Sequence, residues 1–172
     1  MEDKCKGIDE IIEILGDLSK KVQDLIYIVI GDGNDKIRLE EKAKFLKVDH
    51  LIIFTGRLSE KEKIDHYRLG NLLAMPGSRK SFDRYPYRFV FLEGLASGMQ
   101  VVCSNLNDQS ELNDPNVKML IQVNPFDRHE MINKIVKAIK RKRYIHLLLK
   151  NFYFTSFEKK IVNILNIIKN NK

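Results

Sequence analysis

The segment from Leu72 to Ser104 constrains the fold of this chain more than any other part of the sequence. It comprises a short apolar strand, a polar loop, a helix with one acidic residue, Glu93, and a second short strand. Two strands joined through a helix form a βαβ unit, in which the strands lie parallel. Glu93 has the apolar neighbours Leu92 and Leu95 in the sequence. Burying a charged side chain on an apolar helix face costs free energy unless another group pairs with it. Either a group inside the protein pairs with Glu93, or its carboxylate faces a ligand-binding cleft.

Apolar runs and helical periodicities alternate along the chain. Apolar runs bounded by turn residues predict strands at 25–30, 51–54, 72–75, 101–103 and 119–123. Helical spacing and capping residues predict helices at 8–21, 35–47, 60–69, 88–97, 128–139 and 156–168. This alternation predicts an α/β fold, a doubly wound, Rossmann-like parallel sheet flanked by helices. Because no linker or internal repeat interrupts residues 1–172, we expect a single domain.

The order of the predicted elements has one irregular feature. The first of them is a helix, at 8–21, whereas a doubly wound sheet usually begins with a strand. In that arrangement the first strand lies near the middle of the sheet. We therefore expect the sheet to lack a strand near its middle.

Composition narrows the class of protein. A length of 172 residues, with 44% hydrophobic and 31% charged residues, is typical of a globular domain and unlike a disordered chain. No apolar stretch reaches the roughly 20 residues that span a bilayer. The first residues, MEDKCKGIDE, lack the apolar core of a secretory signal. Cys5 and Cys103 form no disulfide or metal-binding pattern, so we expect reduced thiols in the cytoplasm.

The net charge of +7 arises in the C-terminal part of the chain. From Arg128 to the last residue, the sequence contains 12 Lys and Arg residues and two Glu residues. The basic residues are densest at Lys140–Arg143. A solvated helix end, an anionic membrane surface and nucleic acid would each explain such a block. Nucleic acid is the weakest of the three, because no aromatic residues alternate with these cations on a sheet face. We expect no nucleic-acid partner, and peripheral contact with the inner face of the membrane stays open.

Three strand ends carry candidate ligand-binding features. Ligands of doubly wound sheets bind beyond the carboxyl ends of the strands. Gly31-Asp32-Gly33 and Gly56-Arg57 each follow a strand, and their glycines allow either a close approach to a ligand or an ordinary tight turn. The long loop 76–87 leads into the helix that carries Glu93. The N-terminus of that helix suits a phosphate, and Arg88 would add a positive charge.

The order and spacing of several motifs resemble a known family. The segments are IVIGDG, LIIFTGR, LGNLLAMPGS, FVFLEGLASGMQVV and LIQVNP, with Glu111 before the last. Over residues 6–140 they resemble the C-terminal domain of GT-B-fold glycosyltransferases of the retaining family 4 type (glycosyl transferases group 1). The resemblance implies one half of a GT-B fold that binds a nucleoside-diphosphate sugar, facing a separate acceptor-binding domain. It also implies transfer of the sugar to a glycan or lipid acceptor in the synthesis of cell-surface polysaccharide or glycolipid.

The resemblance implies roles for individual residues. Glu93 matches the second glutamate of the family's E-x7-E motif, which binds the ribose hydroxyls. Lys6 matches the lysine that neutralises the donor diphosphate, and Arg88 lies in the turn whose backbone amides contact phosphate and sugar. The charges of Lys6 and Arg88 would stabilise the diphosphate leaving group, which would make them the catalytic residues. No metal ion or cofactor is implied. The other candidate donor-binding residues are Gly31, Gly33, Arg57, Tyr85, Tyr87 and Phe89.

The sequence departs from the family pattern before Glu93. Tyr85 stands eight residues earlier, at the position of the family's first glutamate, and Pro86-Tyr87-Arg88 replaces its Gly-Phe-Gly. Two interpretations therefore stay open. The chain is the donor-binding domain of a metal-independent glycosyltransferase, with little activity without an acceptor domain. Alternatively, it is a non-catalytic nucleotide-sugar-binding module or a truncated remnant.

Overall fold

The computed structural model describes residues 6–77, 88–105 and 119–140. The strands are β1 (Tyr27–Ile30), β2 (Ile52–Gly56), β3 (Leu72–Met75), β4 (Gln100–Ser104) and β5 (Leu120–Val123). The α-helices are α1 (Ile8–Ser19), α2 (Lys36–Phe45), α3 (Glu60–Leu69), α4 (Arg88–Ala96) and α5 (Arg128–Ile139). Each predicted strand and helix in these ranges is confirmed to within about two residues, the usual uncertainty of element ends. The helix predicted at 156–168 lies outside the described residues.

The strands pair in parallel, as the predicted fold class requires. β1 pairs with β2, and β4 pairs with β3 on one side and β5 on the other. Among the described residues β1 and β3 do not pair, so the strands form two groups, β1-β2 and β3-β4-β5. Parallel pairing within both groups, with helices between successive strands, is typical of a doubly wound fold. The expected absence of a strand near the middle of the sheet stays a prediction.

Helices pack on both faces of the strands, and each face has its own hydrophobic core. The larger core joins α1, α2 and α5 to both strand groups, through residues such as Val29 of β1 and Val102 of β4. The smaller core packs Phe91 and Leu95 of α4 against Val101. Because neighbouring residues of a strand point to opposite faces, Val101 and Val102 serve different cores. Within the described residues, no helix is both long and apolar enough to cross a membrane.

Helix α4 packs very closely on the strands beneath it. A Cβ added to Gly94 would lie 2.7 Å from Leu73 Cδ2 and 3.2 Å from Val101 Cγ2. The chain leaves the carboxyl end of β3, enters α4 and returns to the amino end of β4, which is parallel to β3. Helix α4 therefore runs antiparallel to the strands, and its N-terminus lies near their carboxyl ends.

The predicted capping box of α3 is present. Ser59 Oγ accepts a hydrogen bond from the backbone N–H of Glu62 at 3.3 Å, and Glu62 Oε2 accepts one from the backbone N–H of Ser59 at 2.8 Å. Gly70 ends this helix, as predicted, but with extended backbone dihedrals. These contacts fix where α3 begins, directly after the carboxyl end of β2.

Helix α2 has a narrower buried face than its apolar residues indicate. Only Leu39 and Ala43 are buried in it, whereas Ile37 and Phe45 are 70% and 85% exposed. Leu39 and Ala43 are four residues apart and so lie on one helix face. Ile37 and Phe45 fall on other faces, so they do not belong to the core.

Candidate functional site

The carboxyl ends of β1 and β2 lie side by side. Ile30 pairs with Gly56, and the backbone N–H of Gly31 donates a hydrogen bond to the carbonyl of Gly56 at 2.8 Å. The φ angles of Gly31, Gly33 and Gly56 are +126°, +151° and +71°, a conformation that favours glycine. The structure thus brings together two of the three predicted strand ends, with Arg57 exposed next to Gly56.

The start of α1 lies at the carboxyl end of β3. A Cβ added to Gly7 would lie 2.5 Å from the carbonyl oxygen of Gly77, two residues beyond β3. Gly77 in turn lies close to Ser104, the last residue of β4. From this end, α1 runs through Gly16, where an added Cβ would lie 3.6 Å from Val48, before the amino end of β2, so the carboxyl ends of both strand groups share one edge. The structure therefore places Lys6, which directly precedes Gly7, at the same edge as the glycines after β1 and β2.

The third predicted feature, the loop 76–87, is described only at its first two residues. Arg88 and Phe89 form the beginning of α4, near the carboxyl end of β3. Tyr85 and Tyr87 lie outside the described residues, so their predicted contacts stay predictions. The backbone N–H groups of the first turn of an α-helix have no partners within the helix, and such a helix end suits an anionic ligand.

The carboxylate of Glu93 lies between α4 and α3. Tyr67 donates a hydrogen bond from its phenol oxygen to Glu93 Oε2 at 3.1 Å. Lys63 Nζ lies 3.4 Å from Glu93 Oε1. The Glu93 side chain is 16% exposed. Of the two alternatives raised by the sequence, the structure shows the internal partners, and both come from the face of α3 that meets α4.

Among the described residues, these contacts leave part of the acceptor capacity of Glu93 unused. A carboxylate has two oxygens with about four lone-pair directions in total, and Tyr67 and Lys63 each contact one oxygen. Lys63 also pairs with Glu60 Oε2 at 3.0 Å, so its charge is shared between two carboxylates. The exposed part of Glu93 can therefore accept further hydrogen bonds. Its role in binding ribose stays a prediction.

The net effect of their surroundings favours the protonated forms of both Tyr67 and Lys63. Burial, followed by the neighbouring Glu93 carboxylate, raises the pKa of the Tyr67 phenol. Burial alone would lower the pKa of Lys63, but its interactions with Glu60 and Glu93 outweigh that effect and raise it. At neutral pH, Tyr67 therefore remains a hydrogen-bond donor and Lys63 remains a cation.

Lys63 and Tyr67 are not among the residues that the sequence predicts for this site. Their partner, Glu93, is 30 and 26 residues away along the chain. A signal was present, because Lys63 and Tyr67 are four residues apart in a predicted helix and so share one face. That spacing alone does not tell which carboxylate the face meets.

A metal-binding cluster and a reactive thiol are both absent from the described part of the chain. It contains no group of three or more His, Cys, Asp or Glu arranged to hold a metal ion. The thiol of Cys103 is free and buried, and burial raises its pKa to about 12. Cys103 is therefore poorly suited to act as a nucleophile at neutral pH.

Sequence comparisons identify relatives of the chain. A family model described as "Glycosyl transferases group 1" matches residues 2–153. The GDP-mannose-dependent alpha-(1-6)-phosphatidylinositol monomannoside mannosyltransferase of Mycolicibacterium smegmatis is 29% identical over 99 residues, which are 56% of this chain and 26% of that protein. The O-antigen biosynthesis glycosyltransferase WclY of Escherichia coli is 32% identical over 111 residues, 64% of this chain and 28% of that protein.

A solved structure shares the fold. Anabaena HepE in complex with UDP and glucose superposes with a TM-score of 0.64 at 18% identity, over 96% of this chain and 44% of that chain. The present chain therefore corresponds to less than half of HepE, and to about a quarter of the length of the two relatives. Since the family model matches most of its residues, the chain belongs to the glycosyl transferases group 1 family.

Proposed function

We propose that this chain forms the donor-binding part of a glycosyltransferase that moves a sugar from a nucleoside-diphosphate sugar to a glycan or lipid acceptor. The match of residues 2–153 to the family model carries the proposal. The relatives support it, because their names describe a GDP-mannose-dependent mannosyltransferase and an O-antigen glycosyltransferase. A similar fold binds UDP and glucose in HepE.

The donor would bind along the shared carboxyl edge of the strands. Gly31, Gly33 and Gly56 have no side chains there, so the backbone can approach a nucleotide closely. The diphosphate would meet the N-terminus of α4, where the backbone N–H groups of the first turn and the helix dipole favour negative charge. Lys6 and Arg88 would add full positive charges to this anion site. Glu93 would accept hydrogen bonds from the ribose hydroxyls.

Electrostatic stabilisation of the leaving group would supply the catalytic effect. When the bond between the sugar and the diphosphate breaks, its electron pair stays on the diphosphate oxygen, whose negative charge increases. Lys6, Arg88 and the first N–H groups of α4 would stabilise that charge more strongly in the transition state than in the bound substrate. The acceptor hydroxyl, and the groups that orient it, would be provided by a separate acceptor-binding domain. The chemistry needs no cofactor.

A non-catalytic nucleotide-sugar-binding module is the second candidate function. The observation that favours it is Tyr85, which stands where the family's first glutamate contacts the sugar. Loss of that carboxylate would remove sugar recognition while nucleotide binding at Glu93 persists. An enzyme would release nucleoside diphosphate from its sugar donor when the acceptor-binding domain and an acceptor are added. A module would bind the donor under the same conditions and leave it intact.

The names of the relatives and the charge of this chain also favour one kind of acceptor and one cellular location. The names of the relatives include a phosphatidylinositol mannoside and the O-antigen, which favours a lipid-linked glycan as acceptor. Nucleotide sugars are cytoplasmic metabolites, so the chain would act in the cytoplasm. Its cations after Arg128 would allow peripheral contact with anionic lipids on the inner face of the membrane.

Thermal melting with nucleoside diphosphates tests the proposed function. A ligand that binds only the folded state at a hundred times its Kd stabilises it by about 2.7 kcal/mol. For a chain of this length, saturating UDP or GDP should therefore raise the melting temperature by about 5–10 °C. Glu93→Gln should remove most of this shift, because a neutral amide accepts hydrogen bonds from the ribose more weakly.

Glu130→Gln is the matched control for Glu93→Gln. Glu130 lies on α5, where it pairs with Lys134 at 2.6 Å, away from α3 and α4. This variant should keep the full nucleotide-induced shift, whatever its own melting temperature. If no nucleoside diphosphate raises the melting temperature of the unmodified chain, both the transferase and the module are excluded.

A further inference from the structure

Helix α3 holds both oxygens of the Glu93 carboxylate from one face. Tyr67 contacts Oε2 and Lys63 contacts Oε1, so each oxygen has its own donor. The last torsion of a glutamate side chain is normally broad, and two separate donors restrict it to one orientation. The carboxylate is thus already oriented in the protein before any ligand is present.

The position of Glu93 leaves this oriented group accessible. Its side chain is 16% exposed, and α4 runs from the proposed anion site at its N-terminus to Glu93 about 7.5 Å further along, at 1.5 Å per residue. A nucleotide with its diphosphate at the start of α4 has its ribose a few ångströms away from those phosphates. The ribose of such a nucleotide can therefore reach the exposed lone pairs of Glu93.

We propose that Lys63 and Tyr67 are positioning residues that fix the Glu93 carboxylate for the two vicinal hydroxyls of the donor's ribose, and so make the site selective for ribonucleotides. This inference rests on the proposed function and adds two residues to it. Ordering the acceptor in advance lowers the entropic cost of binding. A nucleotide without the two hydroxyls would leave the exposed carboxylate lone pairs without donors, so it would bind more weakly.

The hydroxyl of Tyr67 can be removed with little change in shape. Tyr67→Phe keeps the buried ring and removes the hydroxyl that donates to Glu93. By isothermal titration calorimetry, we expect this variant to bind UDP about five- to tenfold more weakly than the unmodified chain, the loss typical of one hydrogen bond. For 2′,3′-dideoxyuridine diphosphate, which lacks both ribose hydroxyls, Tyr67→Phe should change the Kd less than about twofold. The loss of the Tyr67 hydroxyl and the loss of the ribose hydroxyls are coupled, because both act through the Glu93 carboxylate.

The comparison between the two nucleotides separates positioning from a structural role. Tyr27→Phe, on β1, is the matched control and should leave both affinities unchanged. Lys63→Met should also weaken UDP selectively, and Lys63→Arg, which keeps the charge, should restore most of the affinity. Equal losses for both nucleotides, or no loss for UDP in Tyr67→Phe, would overturn the inference while leaving the proposed function intact. If the unmodified chain binds neither nucleotide, the proposed function fails first and the inference fails with it.

Discussion

Replacing Gly7 by alanine is expected to lower the melting temperature by about 10 °C. The φ angle of Gly7 is +81°, in the left-handed region, which costs an L-residue about 1–2 kcal/mol. The new Cβ would also lie 2.5 Å from the carbonyl oxygen of Gly77 and 2.9 Å from Pro76 Cγ. These neighbours are backbone and a rigid ring, so relieving the clash should cost about 1–3 kcal/mol more. A loss of about 3 kcal/mol in the free energy of unfolding lowers the melting temperature of a chain of this size by about 10 °C.

The same substitution at Gly16 is the control for Gly7→Ala. Gly16 lies inside α1, and a Cβ added there would meet only Val48 Cγ1, at 3.6 Å, which is an ordinary contact. Alanine favours the helix over glycine by about 0.5–1 kcal/mol, so Gly16→Ala should melt at or above the original temperature. If Gly7→Ala melts like Gly16→Ala, the close approach of α1 to the end of β3 is wrong.

Replacing Asp9 by asparagine is expected to destabilise the fold by about 2 kcal/mol. The Asp9 side chain is 6% exposed and contacts Arg38 at 2.8 Å and Lys42 at 2.6 Å, which join α1 to α2. Removing one partner of a buried ion pair costs about 3–5 kcal/mol, and the 44% exposure of Arg38 reduces that figure. The melting temperature should fall by about 4–8 °C.

The pairing of Asp9 also determines how stability depends on pH. Burial lowers the pKa of Lys42, but hydrogen bonds to Asp9 and Glu13 outweigh this and raise it above 10.5. The stability that Lys42 contributes is therefore complete below pH 10.5 and is lost as the pH rises through the raised pKa.

Asp17→Asn is the control for Asp9→Asn. It removes an exposed pairing with Arg128 and should leave the melting temperature almost unchanged. A melting temperature for Asp9→Asn equal to that of Asp17→Asn would contradict the burial of this network.

Local sequence patterns predict the helices and strands because local physics decides them. The capping box at Ser59 and Glu62 fixes the start of α3, and the apolar stripe of α1 fixes its buried face. The ends of helices and strands are predicted less accurately where a turn adjoins them. Asp24 takes a positive φ of 52°, so the apolar run after it pairs only from Tyr27.

Contacts between distant segments are what the sequence does not predict. The acidic residues of α1 and the cations of α2 each repeat at a spacing of four, but nothing in the sequence places the two helices side by side. Likewise, the sequence identifies Glu93 as a charge that needs a partner, and only the structure shows that Lys63 and Tyr67 supply one. Such pairs depend on how helices meet across the fold, which periodicity does not encode.

The central claim is that Glu93 binds the ribose of a nucleotide at the carboxyl edge of the strands. A crystal structure of the chain with UDP tests it most directly. We predict that both ribose hydroxyls lie about 2.5–3.0 Å from the Glu93 carboxylate, the range of such hydrogen bonds, while Tyr67 and Lys63 keep their contacts. A nucleotide bound with its ribose away from Glu93, whose carboxylate then contacts only α3, would contradict the claim.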